Sequence, residues 1–329
     1  MKRQGNLIEE IADFDNLQWA FCKAKRGKEE KNEVIRFQHK LWDNLRSLQK
    51  QVLTSEIETE NYRYFTIYDP KKRLICAVPF AQRVLHHALM NVCHRFFDRV
   101  QIYDSYASRL GKGTYAALDR ARKFQKRHCW FLKLDFVKYF DSLDHLILKD
   151  QLNRMFKDKR LLAIFEKIID SHYSEKNRGV PIGNLTSQYF ANHYLSDLDH
   201  FVKEKLKIPA YVRYMDDIIL WHDQKAILLN AGLSLKKYSE QKLDLTLKPF
   251  CLNKNIQGLP FLGYLLYPDD IRLAHRSRIR FIKKLRIYEN NLKYGIWTQE
   301  EYQNHISPLI AFTEFANSKA YRKKIIFNK

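Results

Sequence analysis

Three carboxylates stand where apolar neighbours make them expensive. Asp135 falls near the end of WFLKLDF (130–136), a stretch otherwise apolar apart from Lys133. Asp216 and Asp217 interrupt AYVRYMDDIILW (210–221), between Tyr214-Met215 and Ile218-Ile219-Leu220. A carboxylate buried in such a setting is costly unless something compensates it. A divalent cation does so well, because hard oxygen ligands suit Mg²⁺. Two strand-borne acids plus a third can hold two Mg²⁺ ions about 4 Å apart, an arrangement that activates a hydroxyl and stabilises a leaving pyrophosphate. On residue types alone, a plain hairpin turn at Asp216-Asp217 and a strand-end cap at Asp135 stand equally open.

GVPIGNLTSQ (179–188) is the second candidate. Its glycines let the backbone approach a ligand closely, and the helix start behind them favours phosphate. Such a loop also serves as the ordinary start of a helix. The third is charge. Lys and Arg number 58 against 37 Asp and Glu, a formal net charge of +21. That excess predicts a polyanionic partner: nucleic acid first, an acidic membrane surface second. Lys71, Lys72 and Arg73 form one cluster; Arg109, Lys112, Arg120, Arg122, Lys123, Lys126 and Arg127 form another. A charge run is often a solvated face, but the whole-chain imbalance points these toward backbone phosphates. Tyr and Phe total 40 residues, so rings for base stacking are plentiful.

Other chemistries find little support. The twelve histidines show no metal-ligand spacing, and adjacent His86 and His87 cannot share a helix face. The five cysteines are scattered, with no CxxC pair, which argues against a disulfide framework and fits a reducing cytosol. The N-terminus lacks a signal peptide's apolar segment, and no apolar run approaches a membrane span, so a cytoplasmic protein with no membrane role is expected.

The elements that must position these residues follow from periodicity. Helices are expected at 31–54, 80–97, 114–127, 143–155, 159–173, 185–206 and about 225–241. Strands are expected on both sides of a basic turn at Asp69-Pro70, at 130–136, as a hairpin at 210–221, and at 243–250 and 258–267. Beyond His275 the composition shifts: residues 275–329 carry 12 Lys or Arg against 4 Glu and no Asp, and read as a separate basic helical lobe docked on nucleic acid. The class is α+β, with 45% hydrophobic residues, ample for a packed core.

The order of motifs resembles a reverse transcriptase. LDFVKYFDSLDH (134–145) resembles the motif of the first metal-binding Asp, YMDD (214–217) the signature hairpin, and GLPFLGYLLYP (258–268) the primer grip. The stretch RLICAVPFAQRVLHHAL…DSYASRLGKGTYAAL (73–118) resembles the fingers motifs. The resemblance implies a right-hand polymerase fold: an N-terminal helical extension (1–60), interleaved fingers and palm (61–274) with the catalytic Asp residues on an antiparallel sheet, and a helical thumb (275–329). It implies an RNA-directed DNA polymerase that takes dNTPs, a template RNA and an RNA–cDNA hybrid.

Site roles follow from the same resemblance. Asp135 and Asp216, with the Phe136 carbonyl, would hold two Mg²⁺ ions, with Mn²⁺ as substitute; Asp217 would complete the acid set near the primer end. Lys72 and Arg73 would reach the incoming triphosphate. Phe140 would be the gate against a ribose 2′-OH; a core aromatic is its alternative reading. Gly183 would let the backbone approach the nucleotide, Gln188 would touch template or nucleotide, and Lys248 would match the late-palm lysine.

One departure narrows the family. Ile182 stands where most reverse transcriptases carry Gln, and with NLTSQ (184–188) and GKGTYAAL (111–118) the chain is similar to enzymes of diversity-generating retroelements. Ile182 would replace a hydrogen-bonding amide by an apolar wall beside the nascent pair, loosening fidelity; a neutral packing change is the alternative. The likeness implies error-prone copying at template adenines (mutagenic retrohoming) in a bacterial or phage-encoded system with a small basic accessory variability protein. Two other readings stay open. One is a retron or group II intron-type enzyme of ordinary fidelity, the latter disfavoured because no maturase or endonuclease extension follows residue 329. The other is a non-catalytic RNA-binding protein on the same scaffold.

Overall fold

A computed structural model describes residues 3–59, 62–68 and 72–327. Four helices open the chain: α1 (Ile8–Ala12), α2 (Phe14–Lys25), α3 (Asn32–His39) and α4 (Leu41–Thr54). Asp13 starts α2 by accepting from the Asp15 and Asn16 amides, satisfying two donors that have no partner within the helix. The helix expected over 31–54 is broken at Lys40, whose φ of −116° and ψ of 40° are not helical. The Asn44 side chain donates to the Phe37 carbonyl across the break. The break lets Val34 and Phe37 on one side, and Leu45, Leu48 and Val52 on the other, all reach the core.

A two-stranded ribbon follows, β1 (Arg63–Ile67) against β2 (Arg73–Ala77), with Arg63 opposite Ala77 and Ile67 opposite Arg73. Its turn, with Asp69, Pro70 and Lys71, lies outside the described residues. The long helix α5 (Phe80–Val100) and α6 (Thr114–Arg127) lead into β3 (Trp130–Leu134). Next come α7 (Tyr139–Ser142), α8 (His145–Met155), α9 (Lys159–Asp170), α10 (Leu185–Tyr194) and α11 (Ser196–His200), the last running into a π-helical turn, Phe201–Lys205. The single helix expected over 185–206 is thus interrupted at Leu195, where ψ rises to 1°.

The hairpin β4 (Tyr211–Tyr214) and β5 (Asp217–His222), α12 (Lys225–Lys242) and β6 (Cys251–Lys254) complete the central sheet, ordered β4-β5-β3-β6 with every neighbour antiparallel. The strand expected at 243–250 is not formed. Asp244 takes a φ of 49° and the Leu245 amide returns to the Ser239 carbonyl, so the chain turns there and pairs only through a Phe136–Leu247 bridge. Where one strand was expected over 258–267 there are two, β7 (Leu259–Phe261) and β8 (Tyr264–Leu266), joined by a tight turn and extended by β9 (Ile271–Leu273) into a second sheet. Helices α13 (His275–Lys293), α14 (Gln299–Glu314) and α15 (Lys319–Phe327) end the described chain.

The central sheet separates two cores because side chains alternate along a strand. Leu132, Leu134 and Leu220 face the larger core, shared with α1–α5 and α8–α10. Phe131, Val212, Ile219 and Trp221 face a smaller one, closed by α6, β7–β9, Phe312 of α14 and Ala316 of the connection that follows it.

Part of the basic cluster at 109–127 serves the fold, namely Arg109, Lys112 and Arg120, while Arg122, Lys123, Lys126 and Arg127 stay exposed. Arg109 pairs with Asp98 at 2.6 Å and donates to the Ile102 and Ser105 carbonyls. Arg120 pairs with Asp104 at 2.8 Å, and Lys112 lies 3.4 Å from the centre of the Tyr103 ring. These cations brace the 101–113 loop, because Asp98 at the end of α5 and Asp104 within the loop offer charge partners at close range. Lys126 also has a carboxylate partner, Asp269.

Candidate active site

Two backbone facts place the acids. Strand β3 ends one residue before Asp135, and Leu134 pairs with Ile218, so Asp135 emerges beside the β4–β5 turn. That turn has two residues: Tyr214 pairs with Asp217, leaving Met215, at φ 56°, and Asp216 at the tip. A two-residue hairpin favours positive φ at its first position.

The turn is anchored from below by a fully buried ion pair. Arg213 donates to Asp199 at 2.7 and 2.6 Å, to the Asn192 side chain at 2.8 Å, to Gln101 at 2.9 Å and to the Met215 carbonyl at 3.0 Å. Both side chains of the pair are 0% exposed, and the Tyr211 hydroxyl donates to the same carboxylate. The hairpin is therefore clamped to α10 and α11. Nothing in the spacing of Arg213 and Asp199 announces this contact.

Asp135, Phe136, Asp216 and Asp217 line one cleft of about 640 Å³ together with Arg73, Phe140, Ile182, Gly183, Gln188 and Lys248. Of the site residues expected from sequence, only Lys72 is not among its lining; it is exposed on the ribbon. Phe140 is partly buried, edge-on to Tyr139. The Gln188 amide oxygen accepts from the Ser108 hydroxyl at 3.4 Å. The Ile182 carbonyl accepts from the Cys76 amide, tying the 179–184 loop to β2. Gly183 has a φ of 117°, and a Cβ there would lie 2.8 Å from Ile75, so a side chain is excluded twice over.

Two lysines sit among the acids. Lys248 Nζ lies 2.5 Å from Asp135 Oδ2, and the Lys248 amide donates to the Asp135 carbonyl. Lys133 Nζ lies 3.0 Å from Asp217 Oδ1. Asp216 has no ion-pair partner among the described residues. Burial, with repulsion from Asp217 and Asp135, pushes its carboxyl up to about 6, against opposing pulls from a hydrogen bond with its own backbone and, less, from Lys248.

Among the described residues, no three His, Cys, Asp or Glu side chains converge as a ready-made metal cage. The donor set nevertheless suits Mg²⁺, which usually takes one or two carboxylates and fills its octahedron with water and substrate phosphate. Asp216, partly buried and without an ion-pair partner among the described residues, would supply one; Asp135 would supply the other. The bridge at Phe136 is made by the Asp135 carbonyl and the Val137 amide, so it does not use the Phe136 carbonyl.

Gly183 and Gln188 also line a second cleft, of about 600 Å³. Lys28, Lys31, Arg63 and Arg83 stand around it with His86 and His87, against one acid, Glu33. Phe65 and Ile75 supply apolar wall. Burial, then Lys23, Lys28 and Arg83, push His87 down to about 4, so it stays neutral near pH 7. Sequence reading missed Lys28, Lys31 and Arg83, because only the fold brings α3, α5 and the ribbon around one space.

The fold defines the class first. The described chain resembles the apo telomerase of Candida Tropicalis (TM-score 0.51, 13% identity, 74% of this chain and 53% of that one). It likewise resembles that telomerase in complex with a TWJ fragment of telomeric RNA (TM-score 0.50, 13% identity, 87% and 59%). At that identity the likeness shows the polymerase fold alone. Residues 68–249 match the family described as reverse transcriptase (RNA-dependent DNA polymerase), and the chain belongs to that family. Among curated proteins it is similar to the group II intron-encoded protein LtrA of Lactococcus lactis subsp. cremoris, 25% identical over 267 residues, 74% of this chain and 44% of LtrA. It is also similar to protein YkfC of Escherichia coli K12, 22% identical over 271 residues, 75% of this chain and 65% of YkfC. The chain spans less than two thirds of the length of these relatives.

Proposed function

We propose that the chain is an RNA-templated DNA polymerase whose chemistry is centred on Asp135 and Asp216. The observation that carries this is the gathering of both acids, Arg73, Phe140 and the Gly183 loop around one cleft. Asp135 and Asp216, with the Phe136 carbonyl, would hold Mg²⁺, which when bound activates a primer 3′-hydroxyl and stabilises the leaving pyrophosphate. Arg73 meets the triphosphate from the ribbon with a geometry suited to phosphate, and Lys72 approaches from outside the cleft. Phe140 places its ring against the sugar, where a 2′-OH would clash. With a cation held at Asp135, Lys248 would be free to pair with the triphosphate instead. The second cleft takes the template strand: its cations meet phosphates, and Gly183 and Gln188 lie where the two clefts touch.

At finer grain the reading is an error-prone enzyme of the diversity-generating retroelement type. Its support is Ile182, which lines the catalytic cleft and presents hydrocarbon where an amide would otherwise police pairing. Template RNA, the RNA–cDNA hybrid and dNTPs are the substrates on this reading. A small basic accessory protein is expected from family likeness alone.

The test is dNTP incorporation on a primed RNA carrying all four bases, with Mg²⁺, followed by cDNA sequencing. Asp216→Asn should cut incorporation at least 10³-fold while RNA binding persists. Ile182→Gln should lower misincorporation at adenines. Accurate synthesis by wild type, unchanged at Ile182→Gln, would keep the polymerase and favour an intron-type enzyme of ordinary fidelity, in line with the likeness to LtrA. RNA binding without incorporation, even with cell extract supplied, would favour the non-catalytic reading.

A further inference from the structure

Lys133 joins the two sheets at the edge of the acid cluster. It lies on β3 two residues before Asp135, so the two share a side of the strand. Its ammonium donates to the Pro260 carbonyl at 3.0 Å and contacts Asp217 Oδ1 at 3.0 Å. Pro260 is the middle residue of β7, in the second sheet; Asp217 opens β5, in the central one. One cation therefore touches the acid beside the β4–β5 turn and the backbone of the β7–β8 hairpin. That hairpin's turn residue Leu262 lines the catalytic cleft. The Lys133 side chain is only 22% exposed and Asp217 31%, so water screens the pair less than on an open surface.

The three acids are thereby made unequal. Lys133 occupies Asp217, Lys248 occupies Asp135, and Asp216 has neither. Lys248 also lies on a loop with a single bridge to the sheet, at the rim of the cleft, 40% exposed, and can leave. Lys133 is fixed at both ends: its backbone sits mid-strand, opposite Ile219 and Cys251, and its ammonium has two partners on separate elements.

We propose that Lys133 is a positioning residue for the reaction: it withholds the Asp217 carboxylate from the cation site and sets the height of the β7–β8 hairpin, and so of the primer end, over Asp135 and Asp216. The inference rests on the polymerase reading for its primer half. Its cation half stands on geometry alone.

The experiment compares Lys133→Met and Lys133→Arg with wild type, each also in an Asp217→Asn background. Mn²⁺ binding to the full chain without nucleic acid is followed by electron paramagnetic resonance. Freeing Asp217 in Lys133→Met should tighten Mn²⁺ binding about 3- to 10-fold, and Asp217→Asn should abolish that gain. Primer extension should show the KM for primer–template raised about 10-fold with the KM for dNTP little changed; Lys133→Arg, which keeps two donors, should restore it. Thermal unfolding establishes that each variant is folded.

Two results overturn the proposal. If the Mn²⁺ gain persists in the Asp217→Asn background, Lys133 acts only as a nearby charge. If folded Lys133→Met keeps the wild-type KM for primer–template, the hairpin does not depend on it. Failure of the polymerase reading is a separate outcome, seen as no extension by wild type while the Mn²⁺ titration still reports on Asp217.

Discussion

Asp216 is the residue on which stability and the proposed activity pull in opposite directions. Its surroundings push its carboxyl up to about 6 from an ordinary 3.8, so between those values the native state holds more protons than the unfolded one. Stability from this group therefore falls as pH rises through that window, and the metal-free protein carries a cost of about 1–3 kcal/mol above it. Asp216→Asn should raise the melting temperature at pH 7–8 and lose that advantage near pH 4. Added Mg²⁺ should raise the wild-type melting temperature and leave the variant nearly unmoved, as read by calorimetry across pH. If the two proteins melt alike at all pH values, Asp216 is not the uncompensated charge its surroundings imply. Lys133 belongs to the same scale. It was legible as the single cation in an apolar strand, two residues from Asp135, but its partners Pro260 and Asp217 are distant in sequence.

At the scale of elements, the β4–β5 hairpin depends on what lies beneath it. Strand register places Asp216 at the tip; the Arg213–Asp199 pair holds that tip to α10 and α11. Removing one partner of a buried pair leaves the other charge stranded, a loss of about 3–5 kcal/mol. Arg213→Met should show that loss in urea unfolding, and adding Asp199→Leu should return part of it, since neither charge then remains alone. An unchanged midpoint in Arg213→Met would mean that the hairpin is held by the strand ladder instead. The broken helices at Lys40 and Leu195 belong here too. Periodicity finds the apolar face but not the residue at which two faces must diverge to reach one core.

At the scale of the molecule, the charge of +21 has been divided by folding into two kinds. Arg109, Arg120 and Arg213 are consumed by Asp98, Asp104 and Asp199 inside the structure. Lys28, Lys31 and Arg63 gather instead at the second cleft, where Glu33 is the single acid among its lining residues. Binding to a primed RNA template should therefore be strongly salt-dependent. With about 6–10 phosphates contacted, affinity should drop about 10³- to 10⁵-fold between 50 and 200 mM salt. Fluorescence anisotropy across that range measures it, and a flat response would exclude phosphate contacts as the main source of affinity. Among the described residues no helix is long and apolar enough to cross a membrane.

The linear sequence already determined the acids, the Gly183 loop, the hairpin that bears Asp216 and the family to which the chain belongs. These are local features: an acid in an apolar run, a glycine at a turn, and period-two or period-three-to-four patterning need no knowledge of distant residues. Tertiary structure decided which cations line the two clefts and which are paired within the fold. It placed Lys133 between two sheets, turned Arg109 and Arg120 inward, left Lys72 outside the cleft, and replaced a strand at 243–250 by a turn. Each outcome rests on a contact between residues far apart in the chain. Charge type and spacing are equally visible in all of these residues, and only the partner brought within 3 Å distinguishes them.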